Sequence, residues 1–415
     1  MQLDINATQL ERELQKLATF SDVPAPAVTR VVYTATDLAG RRFVKHLCTD
    51  AGLTVREDAA GNLFARWIGS EPELPAVGTG SHIDAIPNAG MYDGTAGVLG
   101  GLEAIRALQR AGFRPRRSVE LLLFTAEEPT RFGIGCMGSR MLAGLLDASA
   151  GKKLRDPQGL TLDEARTMAG FAGGLETVAL PNRYYSAFVE IHIEQGPVLE
   201  REGIDIGVVT NIAAPASMVV TVEGEGGHAG AVLMTERHDA FCAAAELALY
   251  IEAQAKSTGA VDTVATIGIC DVFPAAVNSI PSRVRMTLDA RDTDQARRDA
   301  MLAKVRDEAA GIGGRRGVRI QIEVLSSDAP ATCDPQLVAA LEKACVAQGK
   351  SYRRMVSRAY HDTLFMARVA PVTMLFIPCR NGVSHRPDEF ASTEAIADGA
   401  AVLAETLAVL SMAPS

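Results

Sequence analysis

Histidines and carboxylates recur in this sequence where apolar runs stop. Gly80-Ser81-His82-Ile83-Asp84 follows the run at 75–79, Met91-Tyr92-Asp93-Gly94 precedes a long helical pattern, and Thr125-Ala126-Glu127-Glu128 follows Val119-Glu120-Leu121-Leu122-Leu123-Phe124. Glu190-Ile191-His192-Ile193-Glu194-Gln195-Gly196 and Ser384-His385-Arg386-Pro387 complete the set. Imidazole nitrogens and carboxylate oxygens held on stiff strand ends are the donors that a hydrolytic divalent-metal centre needs. His82 and Asp84 are two residues apart, so in an extended segment they point to the same side. Asp84 is therefore expected to accept a hydrogen bond from the far nitrogen of His82 and to fix its tautomer. Asp93 stands at a helix start, where the dipole favours an anion, and one carboxylate there can bridge two cations. Glu127 and Glu128 are neighbours and cannot easily do the same job. One of them can bind metal while the other faces the water to be activated. His192 and His385 bring two more imidazoles from separate strand ends. Taken singly, each has a plainer reading: a strand histidine satisfied in the core, as His46 and His238 read, or a solvated Glu-Glu pair. The joint placement of three histidines and three carboxylates at strand ends and helix starts is what argues for one site.

Those ends require elements to hold them. Helical periodicity is expected at 10–17, 36–51 and 95–111, the last with Val98, Leu99, Leu102, Ile105 and Leu108 on one face. Buried strands are expected at 74–80, 118–125, 187–193 and 372–378, with a final helix at 393–410. Alternation of this kind gives an α/β sheet with helices on both faces, and ligands of such sheets gather beyond the carboxyl ends of strands. Residues 213–327 read differently. Strands at 217–222, 261–269, 283–289 and 318–325 interleave with helices at 237–255 and 296–310, the second stopped by Gly311 and Gly313-Gly314. The order β-α-β-β-α-β is that of a ferredoxin-like α+β module. It interrupts an α/β catalytic domain built from 1–212 and 328–415, as a lid or a dimerisation surface.

With 415 residues, two domains are the natural expectation. The 41 Lys and Arg against 50 Asp and Glu leave a net charge of −9 without a basic block, which argues against nucleic acid as a partner. No apolar run reaches the length of a membrane span, and the N-terminus lacks a basic start followed by an apolar stretch. The seven cysteines are scattered and form no CxxC pair, so they read as reduced cytosolic thiols and not as zinc ligands. Cys379, close to His385, reads as a small buried apolar residue. Gly78-Thr79-Gly80 after a strand hints at nucleotide binding, but the third glycine and the helix start are missing.

Taken together, the motifs resemble the two-metal amidohydrolases that include N-carbamoyl-L-amino-acid hydrolases, β-ureidopropionase and allantoate amidohydrolase, relatives of aminoacylases and metal-dependent carboxypeptidases. The matching stretches are Gly80-Ser81-His82, Asp93-Gly94, Thr125-Ala126-Glu127-Glu128-Pro129, His192-Ile193-Glu194-Gln195-Gly196-Pro197, Gly227-His228-Ala229-Gly230, Asn278-Ser279-Ile280-Pro281, Asp289-Ala290-Arg291-Asp292 and Ser384-His385-Arg386-Pro387-Asp388-Glu389. They cover nearly the whole chain in the family's order. The resemblance implies that His82, Asp93 and His192 hold one divalent ion and that Asp93, Glu128 and His385 hold the other. Zinc is the first choice, and manganese, cobalt or nickel also suit such ligands. It implies Glu127 as the base, His228 as the group that stabilises the oxyanion across a dimer interface, Arg291 as the grip on a substrate carboxylate, and Asn278 and Gln195 as further substrate contacts. Without it, His228 reads equally as a turn histidine, and Arg291 as a surface ion pair with Asp289 or Asp292. The implied protein is a cytoplasmic homodimer that hydrolyses a linear non-peptide C–N amide bond. N-carbamoyl-L-amino acids are the leading substrates, and allantoate or an aminoacylase- or dipeptidase-type substrate the alternative; a metal-retaining binding protein is the non-enzymatic one.

The chain departs from the family at Ala231-Val232-Leu233, at Ser357-Arg358-Ala359-Tyr360 before His361-Asp362, and at Ala85. None of these removes an implied metal ligand or the base. The first two bear on the substrate, for which Arg358, Tyr360 and Arg380 would shape a pocket for an extra anionic or aromatic group.

Overall fold

The computed structural model describes residues 3–413. Its main strands begin with β1 (Thr54–Glu57), β2 (Leu63–Trp67), β3 (Ala76–His82), β4 (Val119–Phe124), β5 (Tyr185–Ile193) and β6 (Ile206–Ile212). They continue with β7 (Ala214–Glu223), β8 (Val264–Phe273), β9 (Arg283–Asp292) and β10 (Arg319–Ser327), then β11 (Tyr352–Ser357) and β12 (Val372–Ile377). The main helices are α1 (Ala7–Ala18), α2 (Ala35–Asp50), α3 (Thr95–Arg110), α4 (Met137–Leu142), α5 (Ala240–Ser257), α6 (Gln295–Arg316), α7 (Pro335–Ala347) and α8 (Thr393–Met412). Two compact units result. One comprises Met1–Thr210, Thr332–Ser357 and His361–Ser415, the other Asn211–Ala331 with Arg358–Tyr360.

The larger unit holds a nine-stranded mixed sheet in which β6, β12, β5, β3, β4, β2 and β1 run side by side. The central four, β12, β5, β3 and β4, are mutually parallel, while β6 and β2 flank them antiparallel. Every residue of β3, β4 and β12 is buried, the pattern of strands covered on both faces. Helices α3 and α8 pack together over the sheet and α1 packs on both. The other face is closed by Phe64, Leu122, Phe124 and Phe188 together with Met137, Met141, Leu162 and Leu175. Because the four parallel strands share one direction, their carboxyl ends open to a common edge. His82 is the last residue of β3 and lies in register with Phe124, the last of β4, while His192 is in register with Phe376 of β12.

Helix α8 is long and apolar enough to cross a membrane by length and composition, contrary to the expectation that no such run exists. Most of its apolar residues, among them Ile396, Val402, Leu403 and Leu407, pack inside the larger unit, and Asp398 and Glu405 pair with Lys350 and Gln348, as in a core helix.

The smaller unit is a four-stranded antiparallel sheet in the order β8-β9-β7-β10 with α5 and α6 on one face, which is the ferredoxin-like arrangement of β-α-β-β-α-β. Helix α6 does not stop at Gly311. It runs through Gly313 and Gly314 and ends at Gly317, which adopts φ 63°. Each interior glycine costs about 1 kcal/mol relative to alanine, and burial of Met301, Leu302, Val305, Ala309 and Ile312 on the sheet outweighs that cost. Residues 358–360 belong to this unit because Arg358 pairs with Asp262 at 2.8 Å and Arg291 stacks over the Tyr360 ring.

Candidate metal centre

Asp93 is the hub of the larger unit's polar edge. Its Oδ1 faces His192 Nε2 at 3.1 Å and His82 Nε2 at 3.5 Å, and its Oδ2 faces His385 Nε2 at 3.1 Å. His385 Nε2 also lies 3.3 Å from Glu128 Oε1, and Glu127 Oε2 is 3.8 Å from His82 Nε2. Two triads of ligand atoms, His82/Asp93/His192 and Asp93/Glu128/His385, therefore share one carboxylate, each triad within 4.8 Å. His82, Asp93, Glu127, Glu128 and His192 are buried, whereas the His385 side chain is 48 % exposed.

Local structure explains the placement. Asp93 precedes α3 through Gly94 at φ 65°, a conformation that favours glycine. A Cβ at Gly94 would fall 2.4 Å from the His82 ring, so the glycine also admits the imidazole. After β4 the chain turns sharply at Ala126, φ 53°, which throws Glu127 and Glu128 back over the strand end. The peptide N–H groups of Glu127 and Glu128 donate to Asp84 Oδ1 at 3.2 Å and Oδ2 at 3.0 Å. This corrects the expected role of Asp84. His82 Nδ1 makes its 3.0 Å contact with the main-chain oxygen of Asp84, and the carboxylate stands off at 3.6 Å. The side chain is instead committed to the neighbouring turn. His192 Nδ1 similarly contacts the carbonyl of Ile193 at 3.0 Å, which leaves Nε2 of both rings facing inward.

Burial and mutual proximity set the charge states of this cluster. Burial raises Glu127 well above the usual carboxylate range, eased by His82 and reinforced by Glu128. Burial and the adjacent Asp93 raise Glu128 to about 7. Burial works against ionised Asp93 too, but the imidazoles of His192, His385 and His82 close to its oxygens hold it well below its ordinary value. His385, bonded to Asp93, rises to about 9. Burial disfavours protonated His82 and His192, yet both rise because carboxylates surround them. Moreover, buried His192 Nε2 has no aligned hydrogen bond, although Asp93 Oδ1 is 3.1 Å away. Two donors turned toward a common third point, with nitrogen and oxygen ligands and no thiolate, fit a divalent cation.

Gln195, expected at the substrate, donates from Nε2 to Asp93 Oδ2 at 2.8 Å. His228, Asn278 and Arg291 belong to the smaller unit. His228 pairs with Ser279 in a short β-bridge, and Ala229 N donates to the Asn278 carbonyl, so His228 and Asn278 share one two-stranded arm. The Arg291 guanidinium is engaged by Asp289, at 2.7 and 3.3 Å, the surface pair that its sequence neighbours suggest. His46 pairs with Asp50 and His238 contacts the Arg316 carbonyl, and Cys379 is buried.

Four residues enter the site without a role assigned from sequence: Cys136, Glu190, His361 and Glu389. Cys136 Sγ donates to Glu127 Oε1 at 3.3 Å, and its N–H donates to the Glu127 carbonyl at 2.7 Å. No spacing in the sequence points to it. Glu190 accepts from Ser81 Oγ and from the N–H and hydroxyl of Thr363, underpinning His192, against whose ring the His361 ring lies tilted with centres 4.4 Å apart. Glu190, His192 and His361 also form a third group of potential ligands, but the Glu190 oxygens are already occupied by these donors. Glu389 closes the Ser384-to-Glu389 motif and reaches the Asp93 loop.

Residues 78–409 match the family described as Peptidase family M20/M25/M40. The chain is 51% identical over 417 residues to a ureidoglycolate hydrolase of Arabidopsis thaliana, covering 99% of this chain and 88% of that one. It is 38% identical over 404 residues to an N-carbamoyl-L-amino acid amidohydrolase of Geobacillus stearothermophilus, covering 97% and 98%. Among solved structures, the crystal structure of AtUAH in complex with (S)-hydroxyglycine matches with a TM-score of 0.89 at 51% identity, covering 99% of this chain and 98% of that chain. With a shared mixed-sheet fold, a full-length match and a ligand cluster at the sheet's carboxyl edge, the chain belongs to the M20/M25/M40 family, in its branch of amidohydrolases that act on carbon–nitrogen bonds other than peptide bonds.

Proposed function

We propose that this enzyme hydrolyses ureidoglycolate at a centre of two divalent ions. Water and HOOC–CH(OH)–NH–CO–NH2 give hydroxyglycine, carbon dioxide and ammonia, the C–N bond between the carbamoyl carbon and the substituted nitrogen being broken. The observation that carries the chemistry is the sharing of Asp93 between two ligand triads with Glu127 beside them. The substrate rests on the 51% identity to a ureidoglycolate hydrolase and to a protein solved with (S)-hydroxyglycine. Ureidoglycolate is itself an N-carbamoyl amino acid with a hydroxyl in place of the side chain. The reading thus narrows the N-carbamoyl-L-amino acid expectation without changing the bond attacked.

In this reading His82, Asp93 and His192 hold one ion and Asp93, Glu128 and His385 the other. Such ions, when bound, polarise the carbonyl and lower the pKa of water. Glu127, made more basic by burial, takes the proton of the attacking water and delivers it to the departing nitrogen. Gln195 orients Asp93 through its 2.8 Å hydrogen bond. His228 stabilises the oxyanion, Asn278 contacts the substrate, and Arg291 exchanges Asp289 for the substrate carboxylate. Zinc or manganese, a homodimer formed through the smaller unit and a cytoplasmic setting complete the proposal.

Ammonia release from ureidoglycolate, N-carbamoyl-L-alanine, allantoate and an N-acetyl amino acid, each with added Zn²⁺ and Mn²⁺, tests the substrate. Ureidoglycolate is expected to lead by at least about tenfold in kcat/KM, or about 1.4 kcal/mol in the transition state. Preference for any other member of the panel would replace it.

A further inference from the structure

We propose that Glu389 is a positioning residue for Asp93 and His385, acting as the carboxylate that locks together the two loops on which they ride. The inference rests on the metal-centre reading above. Glu389 is only 4 % exposed and lies four residues after His385. Its Oε1 accepts the peptide N–H groups of Tyr92, at 2.8 Å, and of Asp93, at 3.0 Å. Its Oε2 accepts the Ser384 hydroxyl at 2.8 Å. One side chain therefore grips the Asp93 loop with one oxygen and the His385 loop with the other. Gly90 makes room for it, since a Cβ at that position would fall 2.3 Å from the Glu389 Cβ.

The chemistry of this junction calls for a carboxylate. All three partners are donors, and an ionised carboxyl group accepts at both oxygens and donates at neither. Ser384 Oγ also lies 3.0 Å from Asp93 Oδ2, so its single proton can serve Glu389 or Asp93, but not both at once. While Glu389 holds that proton, Oδ2, which also accepts from Gln195 Nε2 at 2.8 Å, keeps a lone pair for a cation. The same tie steadies His385, whose backbone sits at φ 60°, a conformation that persists only when its surroundings enforce it. Oδ2 faces His385 and Oδ1 faces His82 and His192, so the ion of the Asp93/Glu128/His385 triad depends on this junction more than the other does.

The test is a calorimetric titration of metal-stripped full-length protein with Mn²⁺ and with Zn²⁺, for wild type, Glu389→Gln and Ser384→Ala. In Glu389→Gln an amide N–H faces the Ser384 oxygen and drives the hydroxyl proton onto Asp93. One of the two binding steps is expected to weaken by about 10- to 100-fold, the usual cost of losing a group that orients a ligand, with the other within about threefold. Ser384→Ala cuts the tie to the His385 loop without placing a proton on Asp93, so it is expected to weaken the same step by a smaller factor, and it decides the matter if Glu389→Gln does not fold. Unchanged affinities in the folded variants overturn the positioning role while leaving the metal centre standing. Wild type that takes up no metal removes the centre itself and this inference with it.

Discussion

Replacing Asp84 should disable the enzyme without touching a metal ligand. Its buried carboxylate accepts the peptide N–H groups of Glu127 and Glu128, at 3.2 and 3.0 Å, and so sets the direction in which both side chains leave the turn at Ala126. Asp84→Ala leaves two buried donors without an acceptor, at about 1–3 kcal/mol each, or about 2–6 kcal/mol of folding stability. Asp84→Asn is milder. Its carbonyl oxygen keeps one donor and its amide group confronts the other, so a loss of about 1–3 kcal/mol is expected. A peptide plane freed in this way lets Glu127 drift, and a misplacement of about 1 Å in a reacting group costs roughly 100-fold in rate, equal to about 2.7 kcal/mol in the barrier. Asp84→Asn should therefore fold, unfold at lower urea concentration, and show kcat reduced by about 100-fold with KM changed far less. Steady-state kinetics at saturating metal and urea unfolding of the same preparation measure the two effects. If kcat for Asp84→Asn stays within threefold of wild type, the claim that this carboxylate aims the Glu127 turn is wrong.

Glu127→Gln keeps the size of the base and removes its proton affinity, so turnover should fall by about 10²- to 10⁴-fold while the metal content of the purified protein, read by elemental analysis, stays that of wild type. A protein that merely binds its ligand would be indifferent to this change. Metal uptake should strengthen with pH. Between about pH 7 and 9 the ion of the Asp93/Glu128/His385 triad must displace the His385 proton, held to about 9, and below about pH 7 Glu128, raised to about 7, must lose its proton as well. Affinity measured against a competing chelator is expected to rise by at least about tenfold per pH unit from 7 to 9, and more steeply below 7. A flat profile from pH 6 to 9 would contradict the assignment of His385 and Glu128 as ligands.

Much of this centre can be read along the chain, because burial imprints a period and strand ends are marked by the first polar residues after an apolar run. The parallel core strands, the β-α-β-β-α-β order of the smaller unit and the positions of His82, Asp93, Glu127, Glu128, His192 and His385 at strand or helix ends all follow from local pattern. What each side chain touches does not. The i, i+2 rule aims Asp84 at His82, yet the register of β3 against β4 sets His82 opposite Phe124. Two residues further on, the carboxylate therefore meets the N–H groups of the Glu127 turn, a contact across 43 residues that no periodicity encodes. Gln195 on Asp93, Glu389 on the loop of Asp93 and Cys136 on Glu127 are of the same kind. Helix α6 crosses its glycines because the sheet beneath it rewards continued burial more than the glycines cost. Amino-acid types and local spacing thus determined which groups stand at the sheet's edge, whereas strand register and loop packing, which depend on partners remote in sequence, decided which of those groups gather around Asp93 and which hold them in place.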